Sequence, residues 1–205
     1  MKLYTSNTSP YARKVWICAS LHGLDGEITR MTLNPVRDSA LLEPANPLGR
    51  VPALVTDEGR LIVDSPVICQ SLDELAVRRG RSSLMGPDPD RHEDERVLQA
   101  LADGIMDAAF LLVMESARPS EQQSPFWKER WTGAIRRTLQ HLNLNGFPEN
   151  GDQPLTLGRI ALGCALGYLD FRLDALQWRE GCDFLAAWYQ QISGEPVFRE
   201  TVPGE

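Results

Sequence analysis

The sequence predicts an α/β domain with a mixed β-sheet, followed by an all-helical domain. Three observations carry this. Over residues 1–80, β-rich and helical runs follow one another as β-α-β and then β-β-α. Strands that alternate with helices and finish in a hairpin build a mixed sheet with helices on its faces. Residues 81–89 (RSSLMGPDP) read as a linker. Residues 90–205 then turn to long patterns with apolar residues at three- and four-residue steps.

Lys2 to Thr5 reads as a short strand. Ser9-Pro10 opens a helix that runs to His22 and is ended by Gly23. Ser is a preferred N-cap, and Pro is favoured at the first helical position. Glu27 to Leu33 forms a second strand. Asn34 to Pro47 is irregular, with one helical turn around Ser39 to Leu42. Ala53 to Thr56 and Arg60 to Val63 are strands joined by Asp57-Glu58-Gly59, a hairpin signal. Ser65-Pro66 repeats the earlier punctuation and starts a helix lasting to about Arg79.

Asp90 to Ala117 is a long helix whose apolar positions include Leu98, Leu101, Ile105, Met106, Ala109 and Leu112. Glu121 to Leu144 is a second, with Trp127, Trp131, Ile135 and Leu139 on one stripe. Leu157 to Phe171 is apolar nearly all round, the pattern of a buried central helix. Its Gly163, Ala165 and Gly167 admit close neighbours. Thr156 is its N-cap, with Leu155 and Ile160 placed as a hydrophobic staple. Asp183 to Ser193 makes a last short helix.

The bulk numbers exclude several classes. At 42% hydrophobic and 24% charged, the 205 residues have an ordinary globular composition. No continuous apolar stretch reaches the roughly 18 residues that span a bilayer, so no membrane span is expected. The N-terminus lacks a secretory apolar core, which predicts a cytoplasmic protein. Cys18, Cys69, Cys164 and Cys182 form no C-x-x-C pair and have no metal-ligand spacing with the three histidines. Buried free thiols and no metal site are expected. The net charge of −7 falls wholly after residue 80, where 12 basic residues face 19 acidic ones. No basic face for nucleic acid is evident.

Three short signals point to chemistry. A helix N-terminus presents unpaired N–H groups and about half a positive charge. As an N-cap, Ser9 accepts a backbone N–H and keeps its own proton to donate to a sulfur placed before the helix. A hydroxyl donor and the helix field both favour thiolate over thiol, whose free pKa is about 8.5. Val51-Pro52 lies between an irregular segment and the hairpin. A cis bond there would expose the Val51 N–H and C=O to an extended peptide. Asp64-Ser65 sits at the second helix start, with Ser65 suited to a carboxylate and Asp64 to an ammonium. Each signal also has a plain reading as a cap or an ordinary trans proline. Together they fit a peptide carrying a thiolate and a separate carboxylate.

Their order and spacing resemble a known family. Ser9-Pro10-Tyr11-Ala12-Arg13-Lys14, the run Asn46-Pro47-Leu48-Gly49-Arg50-Val51-Pro52-Ala53-Leu54 and Asp64-Ser65-Pro66 are similar to the N-terminal domain of the cytosolic glutathione S-transferases. Residues 101–108 (LADGIMDA), 161–172 (ALGCALGYLDFR) and 198–201 (FRET) resemble their helical C-terminal domain, in a bacterial branch. The resemblance implies a thioredoxin-like glutathione-binding domain over 1–80, an all-helical domain over 90–205 and a homodimer. It implies that Ser9 meets the glutathione sulfur, that Val51 pairs with the cysteinyl backbone before a cis Pro52, and that Asp64 and Ser65 hold the γ-glutamyl end. Arg50 and Asp103 are placed to reach the ends of the ligand, Asp103 across the dimer interface.

Two departures matter. Many relatives place Cys or Tyr where this chain has Ser9, so thiolate activation is expected rather than mixed-disulfide chemistry. The central helix carries Arg159 where relatives close the capping box with an acid. That removes a reciprocal hydrogen bond, at a cost of about 1 kcal/mol.

The expected function is a glutathione-dependent transferase whose co-substrate thiolate attacks a small, largely apolar electrophile, with no bound cofactor. Tyr11, Met106 and Phe110, with Met114, are the expected lining of the second-substrate cleft. Thr8, Thr5 and Tyr4 are neighbouring hydroxyls that compete for the sulfur role. A glutathione carrier or dimeric adaptor on the same scaffold is the alternative, because fold does not fix function.

Overall fold

The computed structural model describes residues 1–147 and 155–204. Residues 148–154 and 205 of the expected helical region lie outside the described residues. The strands are β1 (Lys2–Thr5), β2 (Thr29–Thr32), β3 (Ala53–Val55) and β4 (Leu61–Ile62). They form one sheet in the order β2-β1-β3-β4. β1 runs parallel to β2 with Leu3 opposite Arg30, and antiparallel to β3 with Leu3 opposite Leu54. β3 and β4 close the hairpin with Leu54 opposite Ile62. The predicted mixed sheet is present; β1 has its expected bounds, and β2, β3 and β4 are shorter. Residues 25–27 turn as a 3-10 helix instead of extending β2.

α1 (Pro10–Leu21) connects β1 to β2, α2 (Ser39–Leu42) is the predicted helical turn, and α3 (Ser65–Arg78) follows the hairpin. α1 is buried on more than one side. Val15, Ile17, Cys18 and Ala19 have no exposed surface, and the helix packs on both α3 and the later helix α6 (Leu157–Arg172). Fully burying each such aliphatic side chain is worth about 1.5–3 kcal/mol. α1 is therefore the element through which the sheet is joined to the helices that follow.

Those helices are α4 (His92–Ser116), α5 (Pro125–Asn145), α6 (Leu157–Arg172), α7 (Asp183–Ser193) and the short α8 (Pro196–Arg199). α4 packs on α5 and most extensively on α6. α6 is the central helix its composition predicts, with every residue from Leu157 to Leu169 buried. Gly163 explains how it is enclosed. A Cβ there would lie 2.6 Å from Ile192 Cδ1 and 2.6 Å from Phe198 Cε1. Gly163→Ala is expected to cost about 1–3 kcal/mol by overpacking. Urea unfolding with an unchanged midpoint would show that α7 and α8 move aside freely.

The start of α6 has a partner from outside its own segment. Thr156 Oγ1 accepts the Arg159 N–H at 3.4 Å as predicted. Glu95 of α4 accepts another first-turn donor of this helix, the Gly158 N–H, at 3.2 Å. Burial holds the Glu95 carboxyl above its ordinary range, with Thr156, Gly158 and Arg159 pulling the other way.

One correction concerns α4. Residues Pro89–Ser116 contain an 18-residue window long and apolar enough, by length and composition, to cross a membrane. Polar residues interrupt every continuous apolar run within it, so it does not stand out in the sequence as a span. In the fold, Leu98, Ala102, Ile105, Met106 and Ala109 of this segment are core residues.

Candidate functional site

The sheet register brings the three sequence signals to one end of the sheet. Tyr4 of β1 stands opposite Ala53 of β3, and Leu54 stands opposite Ile62 of β4. Continuing each pairing by one residue sets Pro52 beside Thr5 and Val63 beside Ala53. The turn into α1, the Val51-Pro52 turn and the start of α3 are therefore neighbours. The Val51–Pro52 peptide bond is cis, as is Val63–Asp64. Val51 is half-buried, Pro52 buried and Arg50 exposed. Asn46, itself buried, steadies the preceding loop by donating from Nδ2 to the Arg50 carbonyl at 2.7 Å.

Ser9 is the N-cap of α1, with extended backbone and its Oγ accepting the Ala12 N–H at 3.2 Å. The hydroxyl proton is thus free to be donated. The first turn has fewer available amides than a generic helix start. Pro10 has no N–H, Ala12 gives its own to Ser9 Oγ, and Arg13 gives its own to the Ser9 carbonyl. That leaves the Tyr11 amide as the first-turn donor with no acceptor inside the helix. Of the competing hydroxyls, Thr5 is buried at 2% exposure and Thr8 shares a hydrogen bond with Ser6.

At the start of α3 the assignment shifts by one residue. Asp64, not Ser65, is the N-cap, and its side chain makes no capping bond. Two adjacent cap-forming residue types made the sequence ambiguous here. Asp64 is exposed, whereas Ser65 is 98% buried, so little of its hydroxyl is open.

Two bonds that the sequence did not announce fix α1 against α4. Lys14 Nζ donates to Asp103 Oδ1 at 2.6 Å, and Tyr11 Oη donates to Asp107 Oδ1 at 2.5 Å. Lys14 has no exposed surface. Burial holds the Asp103 carboxyl above its ordinary range against the pull of Lys14, and the charges of Asp107 and Asp64 add to the upward shift. Asp103 Oδ1 is thus engaged within its own chain by Lys14. Burial and Asp107 push the Tyr11 phenol far up. It stays protonated and committed to Asp107, so it is not a free acid for a ligand sulfur.

The expected second-substrate lining divides. Phe110 is 45% exposed and Met114 48%, while Tyr11 is half-buried. Met106 has no exposed surface. Its side chain belongs to the hydrophobic core and presents no surface to a second substrate. A four-residue spacing did not reveal that α4 turns this position inward.

The four cysteines are free and buried. Burial pushes the Cys164 thiol up to about 12. The Cys18 thiol is also raised, first by its hydrogen bond to Cys69 and then by burial. Neither is a ready nucleophile. Among the described residues no group of three or more His, Cys, Asp or Glu is placed to hold a metal ion.

A serine-capped helix start, a cis-proline turn and an acidic helix start thus meet at one end of a thioredoxin-like mixed sheet. Residues 8–75 match the glutathione S-transferase N-terminal domain family. Across 99% of its length the chain is 36% identical to the GST-like protein YibF of Escherichia coli, covering 98% of that protein. It is 35% identical to a maleylacetoacetate isomerase of Pseudomonas aeruginosa over 69% of each chain. Among solved structures, a glutathione transferase family member from Pseudomonas fluorescens Pf-5, with bound glutathione, superimposes with a TM-score of 0.92 at 37% identity. That match covers 100% of this chain and 99% of that one. The chain belongs to the glutathione S-transferase family.

Proposed function

We propose that the protein is a glutathione transferase that ionises bound glutathione at Ser9 and directs the thiolate onto a small electrophile. The carrying observation is the geometry of Ser9, whose Oγ is occupied as an acceptor by Ala12 while its proton remains to be donated. In this reading the cysteinyl backbone lies along Val51. The γ-glutamyl ammonium meets the negative field of Asp64 and Asp103, and its carboxylate meets the start of α3, with Arg50 at the rim.

The thiol proton leaves to solvent. The Ser9 hydroxyl and the Tyr11 amide donate to the resulting S⁻, and the sulfur forms a bond to the electrophilic carbon as the leaving group departs. The chain supplies electrostatic stabilisation and positioning. Phe110, Met114 and the ring of Tyr11 form the apolar side of the second-substrate cleft. The test is retention on immobilised glutathione followed by conjugation of chlorodinitrobenzene with release of chloride. Retention and conjugation together are the expected result. Retention without conjugation leaves a carrier, and no retention leaves an adaptor.

A further inference from the structure

The flank of α1 turned away from Asp103 and Asp107 borders a hollow of about 260 Å³. Its walls are Thr5, Ser6 and Asn7 before α1, Ala12, Arg13 and Trp16 on α1, Arg30 on β2, and the C-terminal tail from Glu200 to Val202 with Gly204. It shares no residue with the Val51-Pro52 turn or the start of α3, and neither Tyr11 nor Lys14 lines it. It is a different place from the glutathione site.

The charges around it are unbalanced. Arg13 is 92% buried, yet its partners are neutral. Its Nε donates to Thr201 Oγ1 at 3.2 Å, its Nη2 donates to the Phe198 carbonyl at 2.9 Å, and its guanidinium lies over the Phe198 ring. Its Nη1 is buried beside Gly167 and the Tyr189 hydroxyl, again a neutral neighbour. Arg30 stacks 4.6 Å over the Trp16 ring and reaches only Asn7 Oδ1, at 3.4 Å. Among the described residues neither arginine has a carboxylate within ion-pair distance. Among the described residues Glu200 is the single acid on the wall. A buried cation gains from a counter-charge, and a guanidinium presents a fork of donors that matches a carboxylate. Hydroxyl and amide groups of Thr5, Ser6 and Asn7 supply further polar contacts.

We propose that this hollow is a second small-molecule site, for a compact carboxylate held by Arg30 with Arg13 supplying charge from below. Its volume is near the small end for ligand pockets, which start at about 300 Å³, so a single-ring or short-chain acid is the class that fits. The site is wired to the reaction loop. Ser6, on its wall, accepts the Ser9 N–H at its carbonyl and shares a hydrogen bond with Thr8. An occupant therefore acts on the loop that carries Ser9.

The probe is benzoate, titrated calorimetrically into the full-length protein with and without saturating glutathione. Saturable one-site binding is expected in both conditions. Arg30→Gln, a surface change on β2, should weaken it at least tenfold, while Arg60→Gln on the β3–β4 hairpin should leave it unchanged. Absence of saturable binding, equal binding by Arg30→Gln, or displacement of benzoate by glutathione would each overturn the proposal. The glutathione-free titration decides it even if the chain binds no glutathione.

Discussion

Replacing Asp103 by alanine is expected to cost the fold about 3–5 kcal/mol, the range seen when one partner of a buried ion pair is removed. Lys14 has no exposed surface, and its ammonium is held by Asp103 at 2.6 Å. The nearby Asp107 is already bonded to Tyr11, so it is not free to replace the lost partner. In a chain of this size each kcal/mol shifts the melting temperature by about 2–4 °C, which gives a fall of roughly 6–20 °C. The double variant Lys14→Met with Asp103→Leu should recover most of it, because neither charge is then left alone. Thermal unfolding of the three proteins measures this. A single variant that melts within a degree or two of the parent would mean that water reaches Lys14, and the α1–α4 clasp would lose its energetic role.

Ser9→Ala is expected to keep glutathione retention and to lower turnover tenfold or more, at about 1.4 kcal/mol per tenfold. Two effects combine. The thiolate loses its hydroxyl donor, and α1 loses a cap worth about 1 kcal/mol. Ser9→Thr keeps both the hydroxyl and the cap, so it should retain far more activity than alanine. Steady-state conjugation of chlorodinitrobenzene separates the two variants. Full activity in the alanine variant would transfer the role to Thr8 or to the Tyr11 amide. The Tyr11 phenol is already excluded by its bond to Asp107.

What the sequence made legible was local. The cap at Ser9, the hairpin around Gly59, the single turn at Ser39–Leu42 and the cap at Thr156 all depend on residues within a few positions of one another, and each is present. The hidden features depend on which helix lies across which. Glu95 meets the start of α6 from 63 residues away, and Lys14 meets Asp103 across 89 residues. Met106 shares its four-residue spacing with exposed Phe110 and Met114, yet it lies in the core. α8 is not legible because four residues beginning with a proline carry no measurable periodicity. The site divides in the same way. Its backbone turns could be read from Ser, Pro and Asp, while the scarcity of free amides at α1 emerged only from the hydrogen bonds.

The central claim is that a thiol held before Pro10 ionises more readily than in water. Ultraviolet titration of thiolate absorbance in the glutathione complex measures this directly. A bound thiol with a pKa at least one unit below that of free glutathione, rising toward the free value in Ser9→Ala, is the predicted result. A bound thiol that titrates together with free glutathione in the parent protein would contradict the account.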